Sequence, residues 1–124
     1  MIVDDLVPFR RVARAVVDAS DGFVAIGEAR SGEEAVLAAG LLRPDLVLMD
    51  VNLPGIDGME ATRRIRSQSR APVVLLLSTW DNDDGSGARQ CGAAEYIPKS
   101  RFGPDLLAVA WRRALDGGKE AAQV

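Results

Sequence analysis

Five residues able to do chemistry each follow directly on an apolar run. Asp4 and Asp5 follow "MIV", Asp50 follows "LVLM", Ser78 follows "VVLLL" and Lys99 follows "EYIP". Three carboxylates gathered in a partly dry site repel one another, and protonation or a divalent cation relieves them. Asp4, Asp5 and Asp50 are too few for a closed calcium cage. They suit Mg²⁺, which keeps several waters and often shares its shell with a phosphate. Lys99 adds a compact positive charge that pairs with a carboxylate or a phosphoryl group. A carboxylate so placed can attack phosphorus and become an acyl phosphate, while metal and ammonium neutralise the equatorial oxygens. A hydroxyl such as Ser78 can then hydrogen-bond the bound phosphoryl group. On this reading Asp50 is the group to be modified.

These residues meet only if the runs before them are strands of one sheet. "IVDD" (2–5), "GFVAIGEA" (22–29), "DLVLMD" (45–50), "APVVLLLS" (71–78) and "AAEYIPK" (93–99) read as strands. Between them lie helical patterns. Pro8, suited to a first helical turn, opens "PFRRVARAVVDA", where Phe9, Val12, Val16 and Val17 share a face. Ser31 and Glu34 form a capping box before "SGEEAVLAAGLL". "DG" at 57–58 is a turn leading into a cap, followed by a helix with Met59, Thr62 and Ile65 inward and arginines outward. "DNDDGSGARQCG" (81–92) predicts a short, mobile fourth helix, since each interior glycine costs about 1 kcal/mol against alanine. Pro104 starts the last helix, in which Trp111 is spaced for packing or a partner surface. The tail "KEAAQV" has no core-forming pattern. Nearly continuous apolar strands alternating with helices argue a parallel sheet covered on both faces, with ligands beyond its carboxyl edge.

Composition narrows the function further. The 124 residues make one domain, 48% hydrophobic and 27% charged. No apolar run approaches the ~20 residues of a membrane span, so no membrane partner and a cytoplasmic location are expected. The single Cys91 cannot form an internal disulfide and reads as a small filler. A net charge of -3 gives no footprint for nucleic acid. There is no histidine, so phosphohistidine chemistry has to come from another protein.

Taken together, "DD" (4–5), "MDVNLPGIDGME" (49–60), "LLLST" (75–79) and "GAAEYIPKS" (92–100) resemble the receiver domain of bacterial two-component response regulators. The likeness runs over nearly the whole chain, in order. It implies a flavodoxin-like, doubly wound α/β fold: a five-stranded parallel sheet of order 2-1-3-4-5 with five helices. It further implies that Asp50 is the phosphoacceptor, that Asp5 binds Mg²⁺ directly and Asp4 mainly through water, and that Asn52 offers its backbone carbonyl to the metal. Lys99 would contact the phosphoryl group, with Ser78 as the switch hydroxyl and Thr79 beside it. Tyr96 matches the aromatic whose ring turns inward on activation. The surface of the fourth helix, fifth strand and fifth helix would then change and control an output. "YIPKS" followed by "FGPDLLAVAWRRALDGG" is most similar to the NarL/LuxR type, which implies transcription as the output. The implied partners are a sensor histidine kinase and, through the apolar last helix, a homodimer. DNA would be reached only through an output domain absent from this chain. Residues 1–116 are then the receiver and 117–124 a tail or the start of a linker.

The sequence departs from the family pattern in places. Only three residues precede the acid pair, where strands usually run about 5–6, so an abbreviated first strand that weakens the metal site is expected. Thr79 and Trp80 stand where smaller residues are usual, and their bulk predicts a long-lived phosphoryl group. Two rivals remain at this point. One is an unphosphorylated receiver serving as a protein-interaction module. The other is a phosphatase with an aspartyl intermediate, which wants a second aspartate where Asn52 stands; a switch that turns over no external substrate is the favoured reading. Taken singly, Asp4, Asp5, Ser78, Tyr96 and Lys99 could all be ordinary strand-end or surface residues, and "DNDD" (81–84) lacks an EF-hand's spacing.

Overall fold

The computed structural model describes residues 1–79, 86–115 and 122–124. Its elements in chain order are β1 (Ile2–Val3), α1 (Val7–Asp18), β2 (Phe23–Val24), β3 (Glu28–Ala29), α2 (Gly32–Leu42), β4 (Leu46–Asp50) and α3 (Gly58–Arg66). Then follow β5 (Val73–Ser78), α4 (Ser86–Cys91), β6 (Glu95–Pro98), a 3₁₀ turn (Lys99–Arg101), α5 (Pro104–Leu115) and β7 (Ala122–Gln123). Five strands form one parallel sheet in the order β3-β1-β4-β5-β6. With β3 as the second strand of the sheet, this is the expected 2-1-3-4-5 flavodoxin-like order with five helices.

Strand periodicity divides the core between the two faces. In β4, Leu46 and Leu48 face one side and Val47 and Met49 the other; in β5, Leu75 and Leu77 oppose Val74 and Leu76. The first side packs Ala13 and Val17 of α1 and Leu107, Ala110 and Trp111 of α5. The second packs Ala35 and Ala39 of α2, Ala61 and Ile65 of α3, and Ala88 and Cys91 of α4. Small residues on the helices let them sit close to the large aliphatics of the strands. Trp111 is a packing residue, buried edge-on against Phe23 with ring centroids 6.3 Å apart. Cys91 fills core space, as its sequence context suggests.

The caps follow local chemistry. Ser31 Oγ accepts from the Glu34 backbone N–H at 3.1 Å, and Asp57 Oδ1 accepts from Glu60 N–H at 2.8 Å. The Glu34 carboxylate turns outward to Arg30, so this capping box is held from the serine side. Pro8 occupies the first turn of α1.

Several expectations need correction. The segment 22–29 is two strands, because its halves have different partners. Phe23–Val24 pairs with β7 outside the main sheet, whereas Glu28–Ala29 pairs with β1. Val24, at the end of the first of these strands, is exposed. In α1, Val12 faces solvent and Ala13 takes the inward place. The tail joins the core: Ala122 and Val124 are buried on one side of β7, with Gln123 between them exposed. Three residues are too few for an alternating pattern to register in sequence. The fourth helix is short, six residues from Ser86, while 80–85, on which much of that expectation rested, lie outside the described residues.

The first strand is two residues long, yet it sits inside the sheet with partners on both sides. Ile2 N–H donates to Gly27 O at 3.0 Å and Leu48 N–H donates to Met1 O at 2.9 Å. The Met1 amine is buried and donates to Leu46 O at 2.8 Å. Burial pushes its pKa down to about 4, against the attraction of Asp45.

Candidate functional site

The parallel sheet delivers its strand ends to one edge. Asp4 follows β1, Asp50 ends β4, Ser78 ends β5 and Lys99 follows β6. One carboxylate oxygen from each of Asp4, Asp5 and Asp50 lies within 4.8 Å of the others. Asp4 and Asp50 are buried, and Asp5 is exposed at the rim. Lys99 Nζ lies 2.7 Å from Asp4 Oδ2 and 3.3 Å from Asp50 Oδ1. The structure therefore brings together the three acids and the lysine that the strand-end reading singled out.

Asp4 is the most constrained of the three. Its Oδ1 accepts from Leu6 N–H at 2.9 Å, and its carbonyl accepts from Arg10 Nη1 at 2.7 Å. These bonds tie the strand end to the first turn of α1. Arg10 is held in turn by Glu28 at 3.3 Å. The Lys99 ammonium also lies over the face of Phe9, 4.3 Å from the ring centroid.

Asp50 is the least satisfied. Its Oδ1 is buried and makes no well-aligned hydrogen bond, its charged neighbour being the Lys99 ammonium, an ion pair at 3.3 Å against 2.7 Å for Asp4. Burial raises its pKa from 3.8 to about 6; Asp4 adds to the rise, while Lys99 and the Asn52 backbone N–H oppose it. A buried carboxylate oxygen with no well-aligned hydrogen bond, beside two further carboxylates, is the donor set a hard divalent cation takes. The residues present thus fit such an ion.

The loop after β4 is held from below and from the side. Val51 N–H donates to Leu77 O at 3.0 Å, and Gly58 N–H to Val51 O at 2.8 Å. Gly55 adopts a left-handed φ of 74°, where a side chain would be strained. Ile56 N–H donates to Glu33 Oε2 at 3.3 Å, so the first turn of α2 steadies the loop carrying Asn52. Asn52 itself is exposed.

The other sequence-predicted residues sit around this cluster. Ser78 is buried on the strand next to Asp50, and Thr79 after it is exposed. Tyr96 is half-buried against the core of the α2–α3–α4 face. Trp80 lies outside the described residues. Phe9, Arg10 and Glu33 were not singled out for chemistry. Phe9 and Arg10 stand four to six residues from the acid pair, a spacing that in α1 returns them to the strand end.

Comparison with known proteins agrees with this geometry. Residues 1–110 match the response regulator receiver domain family. A protein-glutamate methylesterase/protein-glutamine glutaminase of Myxococcus xanthus is 37% identical over all of this chain, which spans 36% of that protein. The transcriptional regulatory protein PdtaR of Mycobacterium tuberculosis is 41% identical over 70% of this chain, covering 42% of its own length. Among solved structures, a LuxR-family two-component response regulator of Aurantimonas superposes with a TM-score of 0.80 at 32% identity, covering 92% of this chain and 83% of that one. The response regulator domain of Thermotoga maritima CheB gives 0.79 at 27% identity, covering 90% and 92%. The fold, the carboxylate cluster and the match over 110 residues lead to one statement: this chain belongs to the response regulator receiver domain family.

Proposed function

We propose that Asp50 is the phosphoacceptor of this receiver and that it takes its phosphoryl group from a phosphohistidine on a sensor kinase. The observation that carries this is the buried Asp50 Oδ1, ion-paired with Lys99 at 3.3 Å and clustered with two further carboxylates. An Asp50 oxygen attacks phosphorus, the P–N bond breaks, and the leaving imidazole nitrogen regains a proton on the partner. These 124 residues contain no histidine, so the donor histidine lies outside them. Mg²⁺ is the cation this donor set suits; Asp4, Asp5, Asp50 and the Asn52 carbonyl would hold it. When bound, it neutralises charge on the transferring group. Lys99 supplies the second positive charge. Ser78, at the end of the neighbouring strand, would hydrogen-bond the product, with Thr79 beside it and Tyr96 responding as Ser78 moves.

Intact mass after incubation with acetyl phosphate and Mg²⁺ tests the assignment. The wild type gains one phosphoryl group and Asp50→Ala gains none. Equal labelling of the variant would move the acceptor elsewhere, and no labelling of a folded wild type would favour a protein-interaction module. Thr79 is exposed, and by residue type Thr79 and Trp80 bring bulk that would hinder a water attacking the acyl phosphate. Loss of the adduct is therefore expected to speed up several-fold in Thr79→Ala and in Trp80→Ala. Unchanged decay rates in both would remove that role.

For the output, the PdtaR and LuxR-family relatives support transcription. The chain spans 36% of the Myxococcus methylesterase, so control of a methylesterase is the second reading.

A further inference from the structure

We propose that Phe9 is a positioning residue for Lys99, its ring holding the ammonium where it can serve the Asp50 oxygen; this rests on the reading of Asp50 as phosphoacceptor. The lysine side chain is a long, flexible stem with a strongly hydrated head, so on its own it samples many positions. Here the head has three neighbours. Asp4 Oδ2 holds it at 2.7 Å, Asp50 Oδ1 lies at 3.3 Å, and the Phe9 ring face lies 4.3 Å away. That last distance is well inside the ~6 Å at which an ammonium is drawn to an aromatic face.

The ring is itself fixed. Phe9 is half-buried in the first turn of α1, directly after Pro8. That turn is clamped to the strand end by Leu6 N–H and Arg10 Nη1, both of which donate to Asp4. The same clamp therefore orients the carboxylate and the ring that share the ammonium. An aliphatic side chain at position 9 would keep apolar contact but lose the ring's negative face. The ammonium would then be held by Asp4 alone or drawn to water, and the charge beside Asp50 would no longer be prearranged for phosphoryl transfer.

The test is the rate of adduct formation from acetyl phosphate at saturating Mg²⁺, followed by intact mass across donor concentrations. Phe9→Leu is expected to lower the maximal rate about five-fold, and Phe9→Tyr, which keeps the aromatic face, to restore it. Because Phe9 acts through the ammonium, Phe9→Leu should have no effect when made in a Lys99→Met background. The same loss in both backgrounds would overturn the proposal, as would a Phe9→Tyr variant as slow as Phe9→Leu. Where Lys99→Met forms too little adduct to time, the order of the two Phe9 variants decides alone. Failure of the wild type to form any adduct would instead overturn the underlying acceptor reading.

Discussion

At pH 7.5 without divalent metal, Asp50→Asn is expected to be more stable than the wild type by about 3 kcal/mol in urea unfolding. The cause is the pKa of Asp50, raised from 3.8 to about 6 by burial and then by Asp4, with Lys99 only partly offsetting both. Between about pH 4 and pH 6 the folded state holds a proton that the unfolded state has lost. Wild-type stability therefore falls as pH rises through that window, and the deficit persists above it. Below pH 4 the carboxyl is protonated in both states and the two proteins should converge. Asparagine keeps the shape without the charge, and Lys99 retains Asp4. Mg²⁺ should raise the unfolding midpoint of the wild type more than that of the variant, since it binds the ionised cluster. Equal stabilities at pH 7.5, or a gap that survives at pH 3.5, would contradict this account.

Gly58→Ala is expected to destabilise the fold by about 3 kcal/mol and to suppress phosphoryl uptake. A Cβ on Gly58 would lie 2.0 Å from the Asp50 carbonyl oxygen and 2.9 Å from Val51 Cα. Both are backbone atoms at the end of β4, so no flexible side chain can yield. The glycine is needed because α3 begins against the strand that carries the acceptor, with Gly58 N–H bound to Val51 O. The Thr62 hydroxyl donates to Gly58 O at 2.7 Å, fixing the same turn from inside the helix. Relief of the clash has to displace Asp50, Gly58 or both, hence the joint loss of stability and labelling. Gly40→Ala in α2 is the control. The nearest atom is 4.0 Å away there, and alanine should be neutral or mildly stabilising. Equal effects at the two positions would show that helix propensity, and not close approach, governs Gly58.

Much of this was legible in the residues, for identifiable reasons. The runs ending at Asp50 and Ser78 are apolar on both faces, which only the middle of a covered parallel sheet explains. Ser31 and Asp57 announce their helices because capping is local chemistry. The cluster of Asp4, Asp5, Asp50 and Lys99 followed from strand ends meeting at one edge. What stayed hidden depended on contacts distant in sequence. The split of 22–29 comes from a change of partner between β7 and β1, which no window around Gly27 contains. The three-residue burial of the tail is too short to show a period. The stacking of Lys99 on Phe9 joins residues 90 apart, and Phe9 reads locally as one more apolar residue of α1. The Asp50 clash at Gly58 is invisible because a glycine after aspartate looks like any turn.

The two ends of the described chain are fastened to neighbouring residues. Met1 binds Leu46 O, while Gln123 exchanges hydrogen bonds with Asp45, its carbonyl accepting from the Asp45 N–H and its own N–H donating to Asp45 Oδ2. In topological terms the fold is nearly a closed ring, with its seam on the Asp45–Leu46 peptide. That seam is where β4 begins, so four residues, or about 13 Å, of strand separate it from Asp50. A short bridge between the ends would cost little closure entropy, and the ring could be reopened at an exposed turn such as Ser69–Arg70. A circularly permuted receiver of this kind would carry its new ends at the same edge of the sheet as the seam, since Val73 pairs with Leu46 and donates to Asp45 O, and would leave the acidic cluster as it is.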